Sequence, residues 1–339
     1  MSVIFERLYP HSVDMGCEEE TLVQKICEIY HQISKLESLK PSKDVNTLFT
    51  QLVLTCIPES SIDVDKLCEN VQDIRSKLIR LCGEAEGLLE SHYSTILGFS
   101  GDNPIHHLNI FPYYNNYLKL SQLEFNILTG HCTHLPTQVA FVGSGPLPLT
   151  SIVLASLHLR TATFHNYDID PSANSLAHRL VSSDSDLSNR MFFHTTDIMT
   201  VSSSLRDYDV VFLAALVGMD KQEKTRIIDH LAKHMAPGSL LMLRSAHGAR
   251  AFLYPVVDPD DLHGFEVLSV FHPTDEVINS VVIARKYTNN KPIVHSLDQQ
   301  GLAVAGSIIF PSKCSEIEAF NPLNHGNMIE ELAVEEQLS

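Results

Sequence analysis

Two hydrophobic periods divide this chain, and the change between them constrains the fold more than any other feature. From Gln138 onward, apolar runs of strand length alternate with stretches of helical period. The runs are Val139–Gly143, Ala162–Tyr167, Met191–His194, Val210–Ala214, Ser239–Leu243, Phe265–Phe271 and Ser280–Ala284. Helical patterns fit between them at Leu149–Leu159, Ala173–Ser182 and Lys221–His234. Strands alternating with helices predict an α/β fold: a doubly wound, mostly parallel, seven-stranded sheet. Only the polar segment His272–Asn279 separates the last two runs, which suits an antiparallel pair at the sheet edge.

Residues 18–125 show the helical period alone. Leu22, Ile26, Ile29, Ile33 and Leu36 recur every three or four residues, and Pro41 ends the element. A second helix is expected over Val45–Cys56, closed by Pro58. Ser61 and Asp63 are candidate caps for a third, carrying Leu67, Val71, Ile74, Leu78 and Leu81. Its continuation, Cys82 to Glu90, keeps the spacing despite Gly83 and Gly87. A loop at Gly98–Pro104 precedes a last helix over Tyr113–Leu128. This predicts an all-helical N-terminal domain of five or six helices over 1–125, the sheet domain over 126–290, and a variable polar extension over 291–339.

With 339 residues, 44% of them hydrophobic, the chain can build a substantial core. Its formal charge of −17 repels phosphate backbones, so nucleic acid is excluded as a partner, while a cationic ligand is favoured. Seven scattered cysteines without a CxxC pair suit free thiols in a reducing compartment. The N-terminus lacks a secretory pattern, and the longest apolar run, Val210 to Met219, is too short to span a bilayer. A soluble cytoplasmic protein without integral membrane association is expected.

The stretch from Val142 to Ser151 follows the first strand with Gly143-Ser144-Gly145 and then two prolines, Pro146 and Pro148. Glycines here permit a tight turn and close approach of a ligand to the backbone. A diphosphate would bind amides at the following helix start, but each proline removes one. The turn therefore points to a nucleoside ligand without a pyrophosphate. Asp168 and Asp170 sit at the tip of the second strand, where a carboxylate accepts ribose hydroxyls; Asp170, ahead of Pro171, is equally a helix cap. Asp197 follows the third strand and is placed to meet an adenine amino group, with Ile198 against the ring. Arg244 lies at the carboxyl end of a strand, where it would clamp a substrate carboxylate or pair with an internal acid.

Glu86 and Glu90 are four residues apart and share a helix face. The segment Phe111 to Tyr117 supplies Tyr113, Tyr114 and Tyr117. Acids and aromatic rings together attract ammonium or sulfonium groups, and a buried glutamate with a raised pKa accepts a proton from an amine. The plainer reading is a solvated acidic helix with tyrosines packed between domains. His106/His107 and His131/His134 lack the further ligands of a metal site, so no metal is expected.

At these segments the chain resembles plant nicotianamine synthase. The likeness runs through Glu84–Glu90, Phe111–Tyr117, Val142–Ser151, Asn166–Asn174, Lys233–Val257 and Phe265–Lys286, and covers nearly everything up to about residue 290. Arg244-Ser-Ala-His-Gly-Ala-Arg-Ala-Phe-Leu-Tyr-Pro is far more specific than the glycine turn. A departure occurs at Cys56-Ile57-Pro58-Glu59, where plant members commonly carry a second proline. The resemblance implies a Rossmann-like sheet of the S-adenosylmethionine-dependent methyltransferase type. It also implies an enzyme that joins three S-adenosylmethionine molecules into one nicotianamine, releasing three 5′-methylthioadenosines. S-adenosylmethionine is then substrate, with no prosthetic group. Glu86, ahead of Glu90, becomes the candidate base, with Tyr114 and Tyr117 orienting amine and carboxylates. Gly143, Ser144, Gly145, Asp168, Asp170 and Asp197 are expected to hold the donor, with Arg244 and Arg250 on carboxylates. The product implies a role in metal homeostasis, iron included. The alternative is a small-molecule methyltransferase using the same pocket. Tyr117-Leu118-Lys119-Leu120 and Leu88-Leu89 match vesicle-sorting patterns, and a homo-oligomer is left open.

Overall fold

Apolar residues at helical spacing form four long helices ahead of the sheet in the computed structural model, which describes residues 17–99 and 103–288. They are α1 (Cys17–Ile33), α2 (Lys43–Cys56), α3 (Glu69–Gly98) and α4 (Tyr114–His131). Ser42 caps α2 by accepting from Val45 N at 3.3 Å. Asp63 caps a 3₁₀ turn over Val64–Lys66 rather than the long helix, which starts later with Cys68 at its N-cap. Among the described residues α3 runs unbroken for 30 residues, through both glycines, as its spacing predicts. Each interior glycine costs about 1 kcal/mol of helix propensity. The helix persists because Val71, Ile74, Leu78, Ile79, Cys82 and Ala85 bury one stripe along it.

The sheet follows as β1 (Gln138–Val142), β2 (Thr163–Asp168), β3 (Met191–Thr195), β4 (Val210–Leu213), β5 (Leu240–Ser245), β6 (Phe265–Phe271) and β7 (Ser280–Lys286). Its order is β3-β2-β1-β4-β5-β7-β6, parallel through β5, with β7 antiparallel to both neighbours. The order reverses between β1 and β4, which opens a crevice at the carboxyl ends of the strands, where open α/β sheets bind ligands. The central strands read as continuous apolar runs because helices cover both faces. Phe141, Phe164 and Phe212 point to the face covered by α4, α5 (Leu149–Val153, continuing as a π-helical turn over Leu154–His158) and α6 (Pro171–Ser182). Ala140, Tyr167, Val211 and Leu241 point to the face covered by α8 (Lys221–His234). The short α7 (Leu187–Arg190) leads into β3.

The helical and sheet portions share interior. Ala246, Ala249, Phe252 and Leu253, from the segment after β5, lie in the same core as Ile26, Leu52 and Leu78. Arg75 Nε donates to Ala251 O at 2.7 Å across the same junction. Arg250 donates to the carbonyls of Ile57, Pro273 and Asp275, so it pins two backbone segments and is not a free clamp for substrate carboxylates. The expected boundary at 125/126 falls inside α4, which packs on the sheet face. The expected extension over 291–339 lies outside the described residues.

Candidate active site

The glycine turn is shaped by contacts that leave no room for side chains. Gly143 has φ +79° and Gly145 φ +67°, the left-handed region that favours glycine. A β-carbon on Gly143 would stand 2.1 Å from Val217 Cγ2, and one on Gly145 would stand 2.8 Å from Glu90 Oε2. The turn's amides are already committed. Gly143 N and Ser144 N donate to Tyr167 O at 2.8 and 3.2 Å, and Gly145 N donates to Asp168 Oδ2 at 2.9 Å. The prolines therefore reinforce a wider feature: this turn offers a pyrophosphate little to bind. Among the described residues the buried Ser144 Oγ has no hydrogen-bond partner.

Asp168 also accepts from Asp170 N at 2.9 Å and remains partly accessible at the strand tip. Asp170 is exposed and caps α6 by accepting from Ser172 N at 2.8 Å, the cap role open in its sequence. Asp197 is exposed and accepts from Met199 N at 2.9 Å, capping a 3₁₀ turn. Ile198, expected against an adenine ring, is buried in the core beneath α8. The apolar side chain displayed beside Asp168 is Ile169, which is 73% exposed.

Glu86 and Glu90 are joined through one phenol. Tyr117 OH lies 3.3 Å from Glu86 Oε1 and 3.1 Å from Glu90 Oε1, while Tyr254 OH donates to Glu86 Oε2 at 3.1 Å. One hydroxyl carries one proton, so it satisfies two ionised carboxylates poorly. The arrangement favours one carboxyl keeping its own proton. Burial pushes the Glu90 pKa well up, and the charges of Glu86 and Asp168 push it further. Burial also raises Glu86, but the two tyrosine hydroxyls and Arg244 oppose the shift. Glu90 is thus the member of the pair driven more strongly to stay protonated, and Glu86 the one whose anion is better stabilised. Glu86 retains accessible surface while Glu90 is 9% exposed, which fits that division.

The tyrosine cluster divides. Tyr117 and Tyr113 pack on Phe111, with ring centroids 6.2 and 5.9 Å away, and Tyr93 meets the same ring at 5.4 Å. Among the described residues, the hydroxyls that reach the glutamates are those of Tyr117 and Tyr254. Tyr114 packs at the margin of the sheet-side core instead. Tyr254 carried no signal in the sequence beyond its place in the Arg244–Pro255 block. Leu120 is buried and Tyr117 is engaged in the cleft, so Tyr117-Leu118-Lys119-Leu120 is not presented as an extended sorting peptide.

Arg244 is spoken for. Its Nε and Nη2 donate to Glu124 Oε1 and Oε2 at 2.7 and 3.0 Å, and Nη2 donates to Thr150 Oγ1 at 2.6 Å. This is the internal-acid alternative, with both partners buried. Glu124 was not singled out in the sequence; it lies seven residues, two helical turns, beyond Tyr117 on α4. The guanidinium stands 6.0 Å from the Tyr117 ring. Since Arg244 is neutralised by Glu124, the carboxylates of Glu86 and Asp168 leave the cleft net negative, suited to a sulfonium or ammonium. Among the described residues, no group of three or more His, Cys, Asp or Glu is arranged to hold a metal ion.

Residues 15–291 match a family model described as nicotianamine synthase protein. A nicotianamine synthase of Solanum lycopersicum is 64% identical over 317 residues, 93% of this chain and 98% of that protein. Nicotianamine synthase 3 of Arabidopsis thaliana is 63% identical over 328 residues, 96% of this chain and 100% of that protein. Among solved structures, a mutant of MtNAS in complex with S-adenosylmethionine aligns with a TM-score of 0.64 at 22% identity, covering 81% of this chain and 100% of that one. MtNAS in complex with MTA and tNA aligns with a TM-score of 0.64 at 21% identity, covering 80% and 99%.

Proposed function

The chain belongs to the nicotianamine synthase family, and from that premise we infer how its cleft carries out the reaction. The enzyme transfers 3-amino-3-carboxypropyl groups, joining three S-adenosylmethionine molecules into one nicotianamine with release of three 5′-methylthioadenosines. In each step an amine nitrogen attacks the γ-carbon of a donor. The carbon–sulfur bond breaks, its electron pair stays on sulfur, and methylthioadenosine leaves as a neutral thioether. Two such transfers join the three units. The unit that still carries its sulfonium then closes the azetidine ring: its own α-nitrogen attacks its own γ-carbon and releases the third methylthioadenosine.

An ammonium has no lone pair, so each attacking amine must first lose a proton. Glu86 accepts it, held in place by Tyr254 and Tyr117. Glu90 keeps its proton and the pair carries one negative charge, which attracts the cationic substrate without burying two anions. Gly145 brings the donor turn directly against Glu90, so the sulfonium held by the turn and the amine at the acids are close neighbours. Asp168 is the ribose acceptor of this reading, and Ile169 the apolar surface for the base. Asp170 and Asp197 act through the turns they cap. Arg244 orients Glu124 and Tyr117 behind the site.

The observation that carries this reading is the Glu86–Tyr117–Glu90 triad set against Gly145. Incubation with S-adenosylmethionine alone tests it: methylthioadenosine and nicotianamine are expected in a ratio of three to one. Formation of S-adenosylhomocysteine would mean methyl transfer, and absence of both expected products would sink the assignment. Glu86→Gln with unchanged turnover would remove Glu86 as the base.

A further inference from the structure

Lys224 is a buried cation to which the chemistry above gives no part. It lies in the first turn of α8, is 3% exposed, and donates from Nζ to Ala215 O at 2.7 Å and to Ala214 O at 3.3 Å. Both acceptors belong to the loop that leaves β4. Burial lowers the ammonium's pKa to about 7. Desolvating a lysine is unfavourable unless its hydrogen bonds are well made, and here they are made to this one loop.

The loop is a wall common to the two halves of the cleft. On one side Ala214 N donates to Val142 O at 3.0 Å, and Val217 fills the space above Gly143. On the other, Leu216 and Met219 close on α3 where Gly83 lacks a side chain, 3.5 and 3.1 Å from the position of a β-carbon. Gly218, at φ +76°, packs so tightly on the start of α8 that a β-carbon would stand 2.8 Å from Lys224 N. The same α3 face carries Glu86 and Glu90 further along.

We propose that Lys224 is a positioning residue for the transfer reaction: through the carbonyls of Ala214 and Ala215 it fixes the loop over 214–219, and so sets the glycine turn in register with the acidic helix. The inference rests on the donor site assigned above. It predicts that losing the two hydrogen bonds weakens donor binding before it affects the fold.

The test compares wild type with Lys224→Met, which keeps the stem and removes the donors. The KM for S-adenosylmethionine and the dissociation constant of methylthioadenosine, by calorimetry, should each rise about tenfold, as expected for losing a charged hydrogen bond. The fall in kcat should be smaller, and Lys224→Arg should recover part of the affinity. A merely structural lysine would change the melting temperature and leave both constants alone; that result overturns the proposal. Were Lys224→Met to unfold, Gly218→Ala decides, since it displaces the same loop without removing the cation. The same rise in KM supports the proposal and an unchanged KM overturns it. A wild-type enzyme that forms no methylthioadenosine would instead overturn the reaction assigned above, so the two failures are distinct.

Discussion

Gly145 and Glu90 meet across the cleft: a β-carbon on Gly145 would lie 2.8 Å from Glu90 Oε2. The glycine of the donor turn and a glutamate of the acidic helix, 55 residues apart in the chain, thus form one surface. Ser94 reinforces it by donating from Oγ to Pro146 O at 2.7 Å, one helical turn beyond Glu90.

Gly145→Ala should therefore act on both halves of the site. The left-handed backbone costs an L-residue about 1–2 kcal/mol, and the methyl group must also displace the Glu90 carboxyl. The expected outcome is a fall in kcat/KM for S-adenosylmethionine of at least about tenfold, with the protein still folded by circular dichroism. Wild-type kinetics would show that the turn does not contact the acids during turnover.

Glu86→Gln should lower kcat by about 10²–10⁴, the usual contribution of a positioned general base. Single-turnover measurement of methylthioadenosine release reads this directly. Glu90→Gln keeps a neutral hydrogen-bonding group in place of the protonated acid, so its loss of rate should be distinctly smaller. Equal losses in the two variants would contradict the division of roles.

Glu90 also predicts a pH dependence of stability. Its folded pKa is raised, so it favours the native state fully below the unfolded value of about 4.3, and that contribution is lost as pH rises through the folded pKa. Glu90→Gln, which cannot ionise, should therefore melt at a higher temperature than wild type under alkaline conditions. Under acid conditions, below about pH 4, the two should melt together. Paired thermal melts across pH check the sign, and an alkaline gain that fails to appear would mean Glu90 is ionised at little cost.

Tyr254→Phe removes a hydrogen bond that stabilises the Glu86 anion. The Glu86 pKa should rise further, and the acidic limb of the kcat/KM profile should move to higher pH. A profile that only scales down without moving would place Tyr254 outside the proton-transfer system.

Glu124→Gln leaves the Arg244 guanidinium buried without its counter-charge, and such losses run at about 3–5 kcal/mol. Denaturant titration should register a loss of that size. A loss below about 1 kcal/mol would mean that water or another acid takes over.

The centre of the sheet was legible because strands buried on both faces must be apolar throughout. All seven expected runs are strands, and Lys221–His234 begins and ends where its pattern does. The helical half was less legible. Asp63 reads as a cap of the long helix but caps a separate 3₁₀ turn. The helix α3 continues through Gly83 and Gly87 as its spacing predicts, because tertiary burial outweighs about 1 kcal/mol per glycine. The side-chain roles were least legible. Arg244 at a strand end reads equally as a clamp or as a structural ion pair, and the decision belongs to Glu124, 120 residues away.

What the sequence determined by itself was the order of elements, the glycine turn with its two prolines, the acidic pair on one helix face, and a likeness extensive enough to name the reaction. These depend on local spacing and residue type, which a linear chain displays. What only the tertiary structure decided was partnership: Tyr117 between the two glutamates, Tyr254 behind Glu86, Glu124 under Arg244, and Glu90 against Gly145. Those contacts join residues far apart in the chain, and their energies come from burial and from charges brought together. Proton affinity is a property of that shared environment, so no spacing along the chain could assign it.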